Sequence, residues 1–373
     1  MDKKTVIPDA IHRLLARLQL SWYVFFITVL VTANSYFKRV RMSHENGITC
    51  RGRLRIVPDP TFPAHELFTP GREFDCRVRH AAASWIDDAK LVVRGAAIKF
   101  ADDRFDSPLD LMMNSGDVPL FWSARTFWGF MKGTMGGRGK GWVPYLRAHP
   151  QAIVGGADSV RRDPESFAGM VYNTKTCLGF VGDDGVYRYA RYRLEPADFD
   201  GHETGLPDEQ DRATPWLQNP YPDETRSRNY LKDELLERLD TEGVAVEYML
   251  KIQLRRRPSL KGPEPEWVTS EYPWDETAHP WHDVARVTLT EALDYEESML
   301  TWFDMANHPK SLPVPLGASI DDPHSLNNLR LASIWARKAR LLSYKHRGMP
   351  AKFPDSRHAK DWIAVPPMPD PPG

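Results

Sequence analysis

The chain has 373 residues, with 49 Lys plus Arg against 50 Asp plus Glu and a formal net charge of −1. So even a balance excludes a protein whose main partner is nucleic acid, because no domain-wide basic excess exists to neutralise phosphates. With 42% apolar and 27% charged residues the composition is globular, long enough for one large core or two smaller ones. Three widely spaced cysteines (Cys50, Cys76, Cys177) make neither a disulfide framework nor a zinc site and indicate a reducing compartment. The 31 prolines imply many loops and strand edges, and so a β-containing fold.

In chain order, the first feature is the charge-free run 18–37, whose centre reads WYVFFITVLVTA. As a helix it covers roughly 30 Å, the thickness of a bilayer core. Basic residues stand on both sides (Arg13 and Arg17; Lys38, Arg39 and Arg41), so the orientation stays open. No small-residue cleavage site precedes the basic cluster, which disfavours a cleaved signal peptide. Two readings stand: an anchor in a membrane-associated intracellular protein, or a segment buried in the fold of a cytoplasmic one. The expected organisation is an N-terminal segment 1–37, a single domain 38–360, and an extended proline-rich tail 361–373.

Beyond Arg41, short apolar or alternating runs predict strands at 53–57, 74–80, 96–101, 109–114, 186–194, 246–254 and 282–290. The run VYRYARYRL alternates, which predicts aromatic and basic residues on opposite faces. About seven strands without regular intervening helices predict an antiparallel barrel or sandwich within an α+β fold. Helices are predicted at 164–172, 230–239, 291–306 and 325–347, the last opened by Asp322-Pro323 and closed by Gly348. The polar, acidic stretch 198–229 reads as a long loop.

Several motifs carry little chemistry. GTMGGRGKG (133–141) has neither phosphate-cradling spacing and reads as a surface loop. In HPWHD, Pro280 breaks any helix that would place His279 and His282 on one face, so a turn leading into a strand is the better reading than a metal site. Arg255 to Arg257 read as a solvated strand end.

Taken together, the segments HENGITCRGRLRIVPDPTFPAHELFTPGREF, VRHAAASWIDDAKLVVRGAAIKFAD, SPLDLMMNSGDVPLFW, RRDPESFAGMVY, WDETAHPWHDVARV and FDMANHPKSLPVPLG resemble, in order and spacing, the heme catalase superfamily. The likeness covers nearly all of 41–344 and is greatest to the small catalase-related allene oxide synthases, which act on fatty-acid hydroperoxides. The resemblance implies a catalase-like antiparallel barrel with peripheral helices, heme b as cofactor, and a small-molecule or lipid hydroperoxide as partner.

By the same resemblance, His44 stands at the distal acid/base position, Asn114 at the distal amide, and Arg41 and Arg79 at the two propionate arginines. The residue types suit the chemistry. An imidazole can move a proton from one peroxide oxygen to the other, an amide can orient the peroxide, and guanidinium groups neutralise buried propionates. The four are expected to converge over a porphyrin-sized pocket inside the barrel. Ser43 stands where allene oxide synthases carry a hydroxyl and catalases an apolar residue. A hydroxyl donating to the imidazole lowers its basicity, which tilts the site from hydrogen peroxide towards organic hydroperoxides.

On the proximal side the resemblance breaks. The family's iron ligand is a tyrosinate four residues after an arginine. An ungapped reading makes Arg330 that arginine and places Ile334, which cannot bind metal, at the ligand position. Ten residues on, RLLSY restores the spacing, with Arg340 as the arginine and Tyr344 as the ligand; ten helical residues separate the two by about 15 Å. The leading expectation is therefore a heme-dependent hydroperoxide-processing enzyme, allene-oxide-synthase-like or peroxidase-like. The alternative, which rests on Ile334, is a non-catalytic catalase-fold protein that binds heme or lipid.

Overall fold

The computed structural model describes residues 9–83, 87–135, 142–214, 219–259, 264–352 and 355. The proline-rich tail, most of the glycine-rich motif (136–141) and 215–218 of the long polar stretch lie outside the described residues.

Among the described residues, ten strands form one antiparallel system: β1 (Gly47–Ile56), β2 (Glu73–Ala82), β3 (Val92–Lys99), β4 (Asp110–Ser115), β5 (Val160–Arg161), β6 (Tyr172–Asn173), β7 (Leu178–Val181), β8 (Tyr187–Pro196), β9 (Val246–Arg256) and β10 (Trp281–Ala292). Eight of them run in the order β2-β1-β10-β9-β8-β6-β4-β3, and the β2–β3 pairing joins the ends of that series into a barrel. Closure leaves no edge along the ring, so the ladder's N–H and C=O groups are paired without a covering helix. Inward-facing Leu54, Val78, Ile98, Leu111, Leu194, Leu250 and Val287 fill the interior. Each contributes about 1.5–3 kcal/mol on burial. His80 sits among them, its Nε2 3.1 Å from the Tyr248 hydroxyl. The three cysteines are free and buried.

The alternation in β8 differs from the expected one. Ala190, Tyr192 and Leu194 face the barrel core, whereas Tyr187 and Tyr189 pack into an outer cluster with Cys177, Val268 and Trp274. Arg191, on the same side as those tyrosines, stacks on Trp274 at 4.7 Å. Aromatic and basic residues therefore share the outer face; both sides of this strand are covered, so polarity does not report direction.

Among the described residues, eight helices surround the barrel: α1 (Asp9–Lys38), α2 (Ala124–Met135), α3 (Trp142–Ala148), α4 (Gln151–Ser159), α5 (Glu209–Ala213), α6 (Tyr230–Asp240), α7 (Tyr295–Leu300) and α8 (Ser325–Arg347). The helix expected at 164–172 is only a single 3-10 turn, Phe167–Gly169. Ser166 caps it, and the chain then straightens so that Tyr172 enters β6 and the core. The helix expected at 291–306 shrinks to α7, because β10 runs to Ala292 and Asp294 caps the helix only afterwards.

Helix α8 has the predicted bounds. Gly348 ends it at φ +75°, a conformation that favours glycine, with its N–H donating to the Tyr344 carbonyl at 2.9 Å. Helix α1 lies alongside α8: Leu20, Ile27 and Val31 pack with Leu326, Leu329, Ala332 and Ala336. At its C-terminal end, Ser343 Oγ donates to the Tyr36 carbonyl at 2.7 Å.

Candidate functional site

Strands β2, β3 and β4 present two faces. Val78, Ile98 and Leu111 point into the barrel, and the alternating residues point out towards α8. The strand register places Ala81, Gly95 and Asn114 side by side in one cross-strand row, and Arg79, Ala97 and Met112 in the next. Small residues at three of these six positions leave a shallow floor. Above it, Ser333, Ala336, Arg337 and Arg340 of α8 form the opposite wall of a cavity of about 240 Å³. The cavity thus lies between the outer barrel wall and α8, not inside the barrel as the sequence suggested. The reason is the hydrocarbon core: the barrel interior is already full.

Six of the sequence-identified residues line this cavity: Arg41, Ser43, His44, Arg79, Asn114 and Arg340. His44 occupies the turn before β1 in the left-handed region, at φ +56°. Arg79 holds that turn, donating through its two terminal nitrogens to the carbonyls of His44 and Glu45, each at 2.8 Å. The Ser43 hydroxyl is 2.9 Å from His44 Nδ1. His44 Nε2 is buried without a hydrogen-bond partner in that geometry. Burial, followed by the Arg79 and Arg41 charges, pushes the imidazole down to about 4, against an upward pull from the Asn114 amide. His44 is therefore neutral at pH 7.

The arginines are the unusual element. Arg41 donates to the carbonyls of Ser298, Met299 and Thr301 at the end of α7, at 3.0–3.2 Å. Burial, then Arg340 and Arg79, hold it well below the usual guanidinium range. Arg79 falls to about 10, first through burial, with Glu45 raising and Arg340 lowering it. Arg340 is 1% exposed, and its three guanidinium nitrogens have no hydrogen-bond partner among the described residues. The Nε atoms of Arg41 and Arg79 are also buried and unpartnered. Three mutually repelling cations with unused donors surround one small space, with Glu45 the one carboxylate acting on both Arg41 and Arg79. A cluster of buried, unused cationic donors of this kind suits an anionic partner by its chemistry.

Helix α8 places the two ligand registers differently relative to the cavity. Ser333, Ala336, Arg337 and Arg340 define its cavity side, and Tyr344 continues that side one turn on. The Tyr344 ring is 5.4 Å from the Arg340 guanidinium, and its hydroxyl donates to the Arg39 carbonyl at 3.3 Å. On balance its pKa is raised: burial raises it most and Glu45 adds to this, while Arg340 and Arg41 lower it. Ile334 lies about a quarter-turn off this side and does not line the cavity. Arg330 is corrected likewise: its guanidinium donates to Thr176 Oγ1 at 2.6 Å, away from the cavity. The shift of ten residues is nearly three turns of helix, so the two registers lie about 15 Å apart along α8.

Sequence reasoning missed Gly95 and Arg337. A glycine inside a strand was the available signal for Gly95. Arg337 pairs with Asp304, donates to the Phe303 carbonyl at 2.7 Å and stacks over Trp302 at 3.8 Å, at the cavity wall. The HPWHD segment is a turn and strand start as expected, with His282 Nδ1 2.9 Å from Asp59; among the described residues no cluster of metal-ligating side chains occurs.

Comparison with known proteins agrees with the fold. The chain is 33% identical over 310 residues to an allene oxide synthase-lipoxygenase protein of Plexaura homomalla, a match covering 81% of this chain and 28% of that protein. The chain has the catalase fold, and over most of its length its sequence is similar to that allene oxide synthase-lipoxygenase protein. It is also 32% identical over 304 residues to a linolenate 9R-lipoxygenase of Nostoc sp., covering 77% of this chain and 37% of that protein. The chain thus spans about a third of the length of these curated relatives. Among solved structures, catalase A from Saccharomyces cerevisiae superposes with a TM-score of 0.63 at 15% identity, covering 85% of this chain and 66% of that one. A fungal catalase gives 0.60 at 17% identity, covering 88% and 70%. No family model matches the chain.

Proposed function

We propose that the chain is a heme-dependent enzyme that acts on peroxides, specifically on organic or fatty-acid hydroperoxides. One observation carries this reading: Arg41, Arg79 and Arg340 converge on the same cavity as His44 and Asn114, with buried donors left unused. Such donors fit the carboxylates of heme b, which Arg41, Arg79 and Arg340 would hold. Tyr344, beside Arg340, would ligate the iron as a phenolate that the Arg340 and Arg41 charges favour. Bound heme supplies the iron at which a peroxide O–O bond is broken.

The chain's own residues supply orientation and proton placement. With Ser43 donating to Nδ1, the ring proton of His44 sits on Nε2, next to Asn114. The distal wall then offers two neutral hydrogen-bond donors and no free basic nitrogen, suited to holding a hydroperoxide rather than shuttling protons for hydrogen peroxide disproportionation. The name of the Plexaura homomalla relative supports an allene oxide synthase-like reaction. That Ile334 is not among the residues lining the cavity favours an enzyme over the alternative, a non-catalytic heme or lipid binder. Heme titration followed by absorption spectroscopy tests the proposal. A Soret band is expected in the native chain and in Ile334→Ala, and its loss or shift in Tyr344→Phe. No band under any heme loading eliminates the reading.

A further inference from the structure

Helix α1 is apolar all round, yet only one side of it is docked. Leu20, Ile27 and Val31 pack on α8. On the diametrically opposite side, Leu18, Trp22, Phe25 and Val29 recur at helical spacing and face out of the fold. Trp22 is 69% and Phe25 60% exposed. Helix α8 also exposes Leu331, Trp335 and Leu342. An outward apolar stripe of this extent marks an interaction surface.

The charge pattern says what covers it. Arg330, Arg337 and Arg340 of α8 turn into the fold, but Lys338, Lys345 and Arg347 are exposed, as are Arg13, Arg17 and Lys38 of α1, and α8 has no acidic residue. The chain as a whole is −1, so this helix pair is a local basic island around an apolar stripe. That combination matches an anionic lipid surface. It matches a second copy of the chain poorly, because two such faces would repel.

A membrane-crossing orientation is at odds with the docking. To cross a bilayer, α1 would have to leave α8, break the Ser343–Tyr36 and Arg347–Phe37 hydrogen bonds, and expose Leu326, Leu329 and Ala332. Crossing while docked would carry Arg337 and Arg340 of α8 into hydrocarbon. We propose that α1 lies in the plane of an anionic membrane surface, dipping its Trp22–Phe25–Val29 stripe into the headgroup boundary while staying docked on α8. This inference is independent of the proposed catalytic activity and needs no heme.

Flotation of the full chain with phosphatidylcholine vesicles, with and without phosphatidylglycerol, tests it. Binding is expected with the anionic vesicles, weakening as salt rises. Trp22→Glu/Phe25→Glu should reduce it at least roughly tenfold, since each large apolar side chain transferred from water is worth a factor of ten or more. Both positions are exposed, so an unchanged Tm and far-UV spectrum show that the variant is folded. Orientation is read with His12→Cys and a membrane-impermeant maleimide: in-plane binding predicts equal labelling of intact and lysed vesicles. Protection in intact vesicles means a spanning helix and overturns the proposal. So does a concentration-dependent dimer in sedimentation velocity that the double variant abolishes, or flotation that the double variant leaves unchanged. Failure to float with any vesicle overturns it as well.

Discussion

Gly95 stands directly opposite Asn114 in the β3–β4 ladder, and the space left by its missing side chain is where His44 points. A Cβ at Gly95 would come within 2.9 Å of His44 Nε2 and 3.1 Å of Asn114 Oδ1. Gly95→Ala must therefore push the imbalance onto the imidazole, the movable partner, rather than onto the strands. Heme binding should survive, because no arginine moves. Hydroperoxide turnover should fall by about tenfold or more, the scale of a misplaced acid/base group. Steady-state kinetics beside an absorption spectrum separates the two; unchanged turnover would show that His44 is not placed by this contact.

Arg340 gives the opposite pattern. Without a ligand its buried donors are unpaired and it repels Arg41 and Arg79. Arg340→Met should leave the apoprotein as stable or more stable, by up to roughly 1–3 kcal/mol, since an uncompensated buried cation is removed. The same variant should lose heme affinity and the perturbation of Tyr344. Urea unfolding of the apoprotein and a heme titration test both halves. Destabilisation of the apoprotein by several kcal/mol would mean that Arg340 is structural.

Ser43→Val removes the hydroxyl beside His44 Nδ1. The imidazole becomes more basic, and the rate with hydrogen peroxide should rise several-fold relative to that with an organic hydroperoxide. The ratio of the two rates in variant and parent is the measurement. An unmoved ratio retires Ser43 as a determinant of peroxide preference.

The imidazoles also set a pH dependence of stability. His44 is depressed to about 4 and His80 to about 3, in both cases first by burial and then by Arg79. Above the ordinary histidine value near 6.5, both are neutral in folded and unfolded chains and contribute no slope. Between about 6.5 and 4, the unfolded chain takes up protons that the folded one refuses, so stability falls with pH. His80→Phe should flatten that decline; denaturant unfolding at pH 7 and pH 4.5 reads it. An equal decline in the variant would exclude His80 as a source. For the same reason activity that needs neutral His44 should persist down to about pH 4–5 rather than be lost near 6.5.

Much of this protein was legible in its sequence where the signal is local. The bounds of α8 follow from its apolar period and Gly348. Strands β2, β4, β8, β9 and β10 follow from their apolar and β-branched runs, and the order of short segments carried the superfamily resemblance. That resemblance also named His44, Asn114, Arg41 and Arg79 before any of them had a neighbour. What the sequence could not decide depends on partners distant along the chain. Strands β5 and β6 are two residues each and exist only because β3, β4 and β8 supply their hydrogen bonds. Which arginine-tyrosine register of α8 faces the cavity depends on which side of that helix the barrel wall and α1 cover, and spacing alone permits both. Whether α1 crosses a membrane, hides in the fold or lies on a surface was equally open, because composition is the same in all three. Local chemistry fixes a helix or a strand; only packing decides which of its faces meets hydrocarbon, cofactor or water.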